Sequence, residues 1–388
     1  MVAVASVVDL ARELSPHLTR DRSAAEDAAG MTDAVRAVAG PAGMFRLLAP
    51  REVGGLELPL PEFYDVIEEL AAADPTVAWH ATNSSATCRL TGMLGEAERA
   101  ELFRELDYPY GWAVAPTGRA VATDGGFRLS GRWGFVTGIN HARWCALGGV
   151  VAPDGESPST GGPPDARMFF VHRDDLEVHP TFQEATSMRG TGSNAASVED
   201  LFVPDGFVVR TTDPPQVDRP LYRLPPFAHV MTTCGAMGIG FVRSALAGSI
   251  ELMGRKTSSM TGAAHYDQPP VKGTIADADA EVRALRAGMR DSIAELWEAA
   301  IHAPEVDLPT RARLYASGMY TLNRSRSIVS DLYVISSSVV YAGRNPVERS
   351  LRDAHALAAA IHGAPFAGVR LAAGRVLLGH EPDGVPFF

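Results

Sequence analysis

The chain has 388 residues, 46% of them hydrophobic and 21% charged, the composition of an ordinary globular protein too long for one simple core. Its formal net charge of −11 speaks against nucleic acid as the main partner and against an anionic membrane surface. Three scattered cysteines, Cys88, Cys145 and Cys234, lack CxxC spacing; they set up neither a disulfide framework nor a metal site and read as core thiols of a cytoplasmic protein.

The opening stretch MVAVASVVDLARELSPHL has no basic segment and acquires Asp9, Arg12 and Glu13, so it predicts an amphipathic helix and not a signal peptide. No uninterrupted apolar run reaches the length of a membrane span. Residues 1–108 are helical in texture, with breaks expected near Pro16, Pro41, Pro59 and Pro75. Pro61 opens PEFYDVIEELAAAD, where Phe63, Ile67 and Leu70 fall at helical spacing. Residues 109–215 turn to Gly, Val, Thr and aromatics, with strands expected in FRLSGRWGFVTG, WCALGGVVA, ARMFFVH and VEDLFVP, and a surface loop over residues 152–165. Residues 216–388 return to long helical stretches, enough for a bundle: AMGIGFVRSALAGSIELM, IADADAEVRALRAGMRDSIAELWEAA, ARLYASGMYTLNRSRSIVSDLYVISSSVVYA and NPVERSLRDAHALAAAIHG. Helices, strands, then helices again predict an α+β, mainly α architecture of three domains (1–108, 109–215 and 216–388) and not an alternating βαβ sheet. Neither GxGxxG after a strand nor GxxxxGK[ST] is present, nor a GxSxG elbow or an HExxH helix.

Within RWGFVTGINHARW, residues 132–144, alternation puts Phe127, Leu129, Trp133 and Phe135 on one face, and Thr137 keeps that phase. A hydroxyl aimed inward at a strand end needs a partner: a neighbouring backbone carbonyl or a ligand. Gly138 permits a bend or a close approach.

Four stretches in order resemble the acyl-CoA dehydrogenase fold family: LAPREVGGLELPLPEFYDVIEELAAADPTVAW, GGFRLSGRWGFVTGINHARW, SMRGTGSNAASVEDLFVP and NPVERSLRDA. The resemblance implies an N-terminal helical domain, a central β-barrel-like domain and a C-terminal four-helix bundle, assembled as a homotetramer (a dimer of dimers). In the dehydrogenases a carboxylate base commonly precedes the Pro-x-Glu-Arg element, with some members placing it on another helix, and here no carboxylate lies between Asp331 and Glu348. The RGTGSN, RWGFVTGINHARW and NPVERSLRDAHALAAAIHG stretches look instead like the flavin-dependent monooxygenases of the same fold. These take reduced flavin, FADH2 or FMNH2, from a separate NAD(P)H:flavin reductase. They react it with O2 through a C4a-hydroperoxyflavin and oxygenate a small molecule, here an aromatic or polycyclic natural product. The alternatives are an acyl-CoA dehydrogenase or oxidase with bound FAD, an amino-sugar N-oxygenase, and a non-catalytic protein that kept the fold.

By the same resemblance, Phe135, Thr137 and Gly138 would meet the flavin ring. Thr191 and Ser193 would meet its pyrimidine edge or phosphate, with a plain capped turn as the equal alternative. Arg255 and Arg352 would reach the cofactor, although Arg255 can as well be a solvated charge at a helix end and Arg352 can equally pair with Asp353. His362, with His355 second, would serve as acid or base from the face that Glu348, Arg352 and Ala359 share; a histidine stabilised by a helix dipole is the structural alternative. Trp79, His80, Asn83 and Ser84 would line the substrate side, and His141 is read as a loop residue.

Overall fold

The computed structural model describes residues 6–152, 164–257, 262, 264–363, 366, 368–382, 385 and 388. Most of the loop expected over residues 152–165 lies outside the described residues, as do the first five residues. Five helices come first: α1 (Val7–Ala28), α2 (Asp33–Ala39), α3 (Leu60–Ala73), α4 (Pro75–Leu90) and α5 (Glu96–Leu102). Their starts follow capping chemistry: Ser6 accepts the Asp9 N–H, Thr32 that of Val35, and Asp74 that of Thr76. Pro16 does not break α1, contrary to expectation. It lies on the solvent side, where water satisfies the carbonyl it frees, while Leu14 and Leu18 on the opposite side are buried.

The strands are β1 (Gly111–Thr123), β2 (Gly126–Trp133), β3 (Trp144–Ala152), β4 (Ala166–His172), β5 (Glu177–His179), β6 (Ala195–Pro204) and β7 (Val208–Val209). Among the described residues they form one seven-stranded sheet in the order β5-β6-β2-β1-β3-β4-β7, in which only β1 and β3 run parallel. β1 escaped the sequence reading because Pro116 interrupts it. The pairing with β3 breaks between Ala113 and Gly118, and the proline sits in that unpaired stretch. Gly118 and Gly131 make room for the Trp133 indole, since a Cβ at Gly118 would lie 2.6 Å from the ring. Trp133 Nε1 donates to Gly148 O at 2.8 Å, so the largest buried side chain of the sheet has no orphaned donor.

The remaining helices are α6 (Pro220–Arg223), α7 (Ala228–Gly254), α8 (Pro269–His302), α9 (Leu308–Ile335), α10 (Pro346–His362) and α11 (Val369–Leu377). The helix expected to run on to residue 342 stops at Ile335, where the Ser336 hydroxyl turns back onto the Leu332 carbonyl at 2.8 Å and a 3-10 turn follows. α7 is long and apolar enough to cross a membrane, a property hidden from a search for unbroken apolar runs by Thr232, Thr233 and its glycines. Here it is the buried centre of the bundle, packed by α3, α8, α9 and α10. The helices before and after the sheet share one core: Leu18, Phe63 and Ile67 join Met237, Phe241 and Leu322 in a single apolar cluster. Each such side chain contributes roughly 1.5–3 kcal/mol. A second cluster fills one face of the sheet, and a third joins Ala146, Met168 and Phe170 to Cys88 and Leu90 of α4. α4 is thereby enclosed between sheet and bundle, and all three cysteines are buried thiols.

Candidate functional site

β2 ends at Trp133, the last residue paired with β6. Strict alternation would bury Phe135 with Trp133, but Phe135 is 72% exposed. Beyond the last paired residue the pleat no longer dictates which side a residue faces. The Phe135 ring stands edge-on to Phe182, with centroids 6.4 Å apart.

Thr137 returns to the interior and is 5% exposed. Its carbonyl accepts the Trp112 N–H at 3.2 Å, and the neighbouring Val136 N–H donates to Asn194 O at 3.0 Å. These bonds lay residues 135–138 beside the turn at 189–194. The Thr137 hydroxyl bonds no backbone carbonyl; it meets Ser193 Oγ at 2.9 Å, and Ser193 Oγ meets Thr191 Oγ1 at 2.9 Å. Three hydroxyls bring three O–H donors to two mutual bonds, so one donor is left for a further partner.

Gly138 follows with φ +86°, a conformation that favours glycine. A Cβ there would lie 3.3 Å from Tyr110 O and 3.7 Å from His80 Nδ1. His80 is buried on α4, its Nε2 3.1 Å from the Gly190 carbonyl oxygen. A carbonyl only accepts, so Nε2 carries the proton and Nδ1 is a bare acceptor, buried without a partner. Burial pushes the imidazole down to about 4, which leaves it neutral. Site and turn together thus hold a spare O–H donor, an unused buried acceptor and an open aromatic face.

The other predicted residues of α4 are occupied by the fold. Ser84 Oγ accepts the Tyr110 N–H at 3.0 Å, Asn83 Nδ2 donates to the Trp79 carbonyl at 2.7 Å, and Trp79 packs partly buried against the main core. Further along, Thr82 Oγ1 lies 3.2 Å from Thr233 Oγ1 of α7, and Ser85 Oγ and both His229 nitrogens are buried without partners. A helix so rich in small polar residues yet enclosed was the available signal for a polar interior. His141 is tied down: its Nε2 donates to Met31 O at 2.7 Å.

α10 begins at Asn345, whose Oδ1 accepts the N–H groups of Val347 and Glu348. His355 and His362 share its exposed face. His355 Nε2 lies 3.2 Å from Ser330 Oγ, and His362 Nδ1 donates to Ala358 O at 2.6 Å. Arg352 and Asp353 are not an ion pair. Successive helical residues point about 100° apart, so Arg352 reaches Glu348, Glu26 and the Thr186 carbonyl while Asp353 accepts the Met188 N–H at 2.7 Å. Arg255 is exposed at the end of α7 and pairs with Glu251 at 2.5 Å. These five residues are not brought together with the hydroxyl chain by any direct hydrogen bond in the described residues.

Residues 232–364 match the family described as acyl-CoA dehydrogenase, C-terminal domain. The chain is 27% identical over 324 residues to the flavin-dependent monooxygenase, oxygenase subunit HsaA, of Rhodococcus jostii, covering 81% of this chain and 83% of the relative. It superposes on the crystal structure of 3-HSA hydroxylase from Rhodococcus sp. RHA1 with a TM-score of 0.86 at 25% identity, covering 97% of each chain. The fold is also that of XiaF from Streptomyces sp., whose structure is a complex with FADH2 and glycerol, with a TM-score of 0.85 at 21% identity over 98% of this chain and 97% of XiaF.

Proposed function

On the acyl-CoA dehydrogenase fold that this chain carries, we propose that it is the oxygenase component of a two-component, reduced-flavin-dependent monooxygenase acting on an aromatic or polycyclic small molecule. One observation carries the reading: the buried Thr137–Ser193–Thr191 hydroxyl chain with its surplus donor, set against Gly138 and the unpartnered His80 Nδ1. An isoalloxazine edge presents both acceptors and an N–H donor, so this donor set fits a flavin. Gly138 lets the ring approach the backbone, and the exposed Phe135 gives it an aromatic contact.

A bound reduced flavin would supply two electrons to O2, so that one oxygen atom reaches the substrate and the other leaves as water. The chain's own work is to hold the ring through the free O–H of the Thr137–Ser193–Thr191 chain, to keep its surroundings dry, and to accept a proton-bearing group at His80 Nδ1. Exclusion of water protects reactive oxygen species from side reactions, and Thr137, Ser193, Thr191 and His80 are each nearly inaccessible. His362 and His355 project from the exposed face of α10, so an acid–base role for either requires that a ligand or a second copy of the chain cover that face. A dimer of dimers fits this requirement, as does Arg255 reaching a neighbour's cofactor. Reduced flavin would come from a separate NAD(P)H:flavin reductase in the same cytoplasm. The missing carboxylate between Asp331 and Glu348 disfavours a dehydrogenase, because Glu348 itself is committed to Arg352.

The test is anaerobic mixing with reduced FMN or FAD, followed by stopped-flow absorbance on adding oxygen. The expected result is a transient band at shorter wavelength than oxidised flavin, before hydrogen peroxide is released. Reoxidation no different from that of free flavin would overturn the reading.

A further inference from the structure

Outside the hydroxyl chain, the densest set of buried charges lies where α1, the α3–α4 junction, the 188–193 turn and α10 converge. Glu26 of α1 receives Arg349 at 2.9 Å and Arg352 at 2.6 Å. Arg189 of the turn donates to the Glu26 carbonyl at 2.7 Å, and Arg352 to the Thr186 carbonyl at 2.5 Å. Asp74 Oδ1 accepts the Thr76 N–H at 2.8 Å and the Thr76 hydroxyl at 2.7 Å. A Cβ at Gly190 would strike that hydroxyl at 2.5 Å, so the turn rests directly on the Asp74–Thr76 cap. The space left among these groups is about 10 Å³, room for one water at most, so the cluster acts as a clamp and not as a ligand pocket.

Asp353 is the member of the cluster that grips the turn at its start. Met188 takes the left-handed conformation, φ 51°, and opens the 3-10 turn Arg189–Thr191. Its N–H has the Asp353 carboxylate as acceptor at 2.7 Å across 165 residues of sequence. Immediately beyond come Gly190, whose carbonyl fixes the His80 tautomer, and Thr191 and Ser193, which carry the hydroxyl chain.

We infer that Asp353 is a positioning residue for the candidate flavin site: its carboxylate holds Met188 N–H and so fixes the turn that sets the Thr191–Ser193–Thr137 chain and the His80 ring. The part of this inference that concerns flavin rests on the monooxygenase reading; the part that concerns the turn does not. The groups facing Asp353 are Arg22 and Glu26 from α1, Asp74 from the α3–α4 junction, Arg189 from the turn, and Arg349 and Arg352 from its own helix. Burial, with Asp74 adding to it, pushes the Asp353 carboxyl up to about 7 against the pull of Met188 N–H, Arg352 and Arg349. A charged acceptor makes the stronger hydrogen bond, so the grip on Met188 tightens as pH rises through this range.

Amide exchange by mass spectrometry on the flavin-free full chain, with peptides covering residues 183–193, tests the grip. Asp353→Ala is expected to lower the protection factor there about tenfold or more while the core of α7 keeps its protection. Asp353→Asn keeps a carbonyl acceptor without the charge. It is expected to stay near wild type at pH 6 and to lose the rise in protection that wild type shows at pH 8. Unchanged protection in Asp353→Ala would overturn the inference; if that variant fails to fold, Asp353→Leu keeps the bulk and removes the acceptor, and unchanged protection there would overturn it as well. Titration with reduced FMN and FAD adds the functional arm: Asp353→Ala should bind the preferred flavin about tenfold more weakly, with Asp353→Asn close to wild type at pH 6. If wild type binds neither flavin, the functional reading fails, while the exchange data still decide the role of Asp353 in the turn.

Discussion

Thr137 and Ser193 meet hydroxyl to hydroxyl at 2.9 Å although 56 residues separate them, and Thr191 extends the contact by a further 2.9 Å. Two glycine-flanked elements, one after β2 and one before β6, are thereby joined into one hydrogen-bonding unit with a donor to spare.

Replacing Thr137 with Val keeps the shape and deletes one hydroxyl. The expected loss is about 1 kcal/mol of cofactor affinity, or about fivefold, with a larger share of the oxygen released as hydrogen peroxide. Reduced-flavin titration and a peroxide assay measure both. Unaltered affinity together with unaltered peroxide yield would remove Thr137 from the site.

Gly138→Ala forces a Cβ onto a backbone at φ +86°, 3.3 Å from the Tyr110 carbonyl oxygen. The cost expected is about 1–2 kcal/mol, seen as a lower thermal midpoint, and flavin binding should weaken further than that of Thr137→Val. Gly134→Ala serves as the control, since a Cβ there meets nothing within 4 Å. Equal midpoints for the two variants would contradict the strain argument.

Burial lowers the His80 imidazole from 6.5 to about 4 and that of His229 to about 3. Both groups are neutral in the native state and bind protons more readily when the chain unfolds. Their contribution is therefore present above pH 6.5 and is lost as pH falls toward 4; for His80 it is worth about 3 kcal/mol. His80→Gln should flatten the acid side of a urea-midpoint profile without abolishing the slope, because His229 remains. A slope as steep as that of wild type would show that His80 charges in the folded protein.

For global stability Asp353 works with the opposite sign, because desolvation of its charge outweighs the stronger bond that the ionised carboxylate makes to Met188. Its folded carboxyl titrates at about 7, above the ordinary 3.8, so the stability it contributes is complete below 3.8 and is lost as pH rises through 7. Asp353→Asn stays neutral throughout and should therefore gain on wild type in urea midpoint between pH 5 and pH 8. A constant difference across that span would contradict the assignment.

His362 is exposed at the end of α10, and its replacement by Asn should leave the thermal midpoint within the range of a surface change, about 0.5 kcal/mol. As an acid or base in turnover it would be worth about a hundredfold in rate. Wild-type turnover in His362→Asn would return it to the structural role of a helix-end histidine, and the same measurement on His355→Asn compares the two positions.

Periodicity and punctuation carried most of the elements into view. β3 and β4 lie where WCALGGVVA and ARMFFVH predict strands, and α10 starts at the Asn345-Pro346 cap. What escaped was governed by partners distant in sequence. Pro116 hid β1 because only the parallel neighbour β3 reveals that the interrupted halves are one strand. Propensity predicts a break at Pro16 because it knows nothing of the core that holds α1 together. Alternation predicts a buried Phe135 because it carries no mark of where pairing ends.

The sequence by itself determined the succession of helices, strands and helices, the resemblance to a flavoprotein fold, and the two short elements around Thr137 and Ser193. Those follow from local chemistry: caps, turns, alternation and motif. Only the tertiary structure decided that the two elements touch, that His80 turns its protonated nitrogen to Gly190 and its bare one toward Gly138, and that Asp353 grips Met188 instead of pairing with Arg352. Hydrogen-bond partners across 50 or more residues are set by how the layers pack, and side-chain direction within a layer depends on which neighbour is there to receive it.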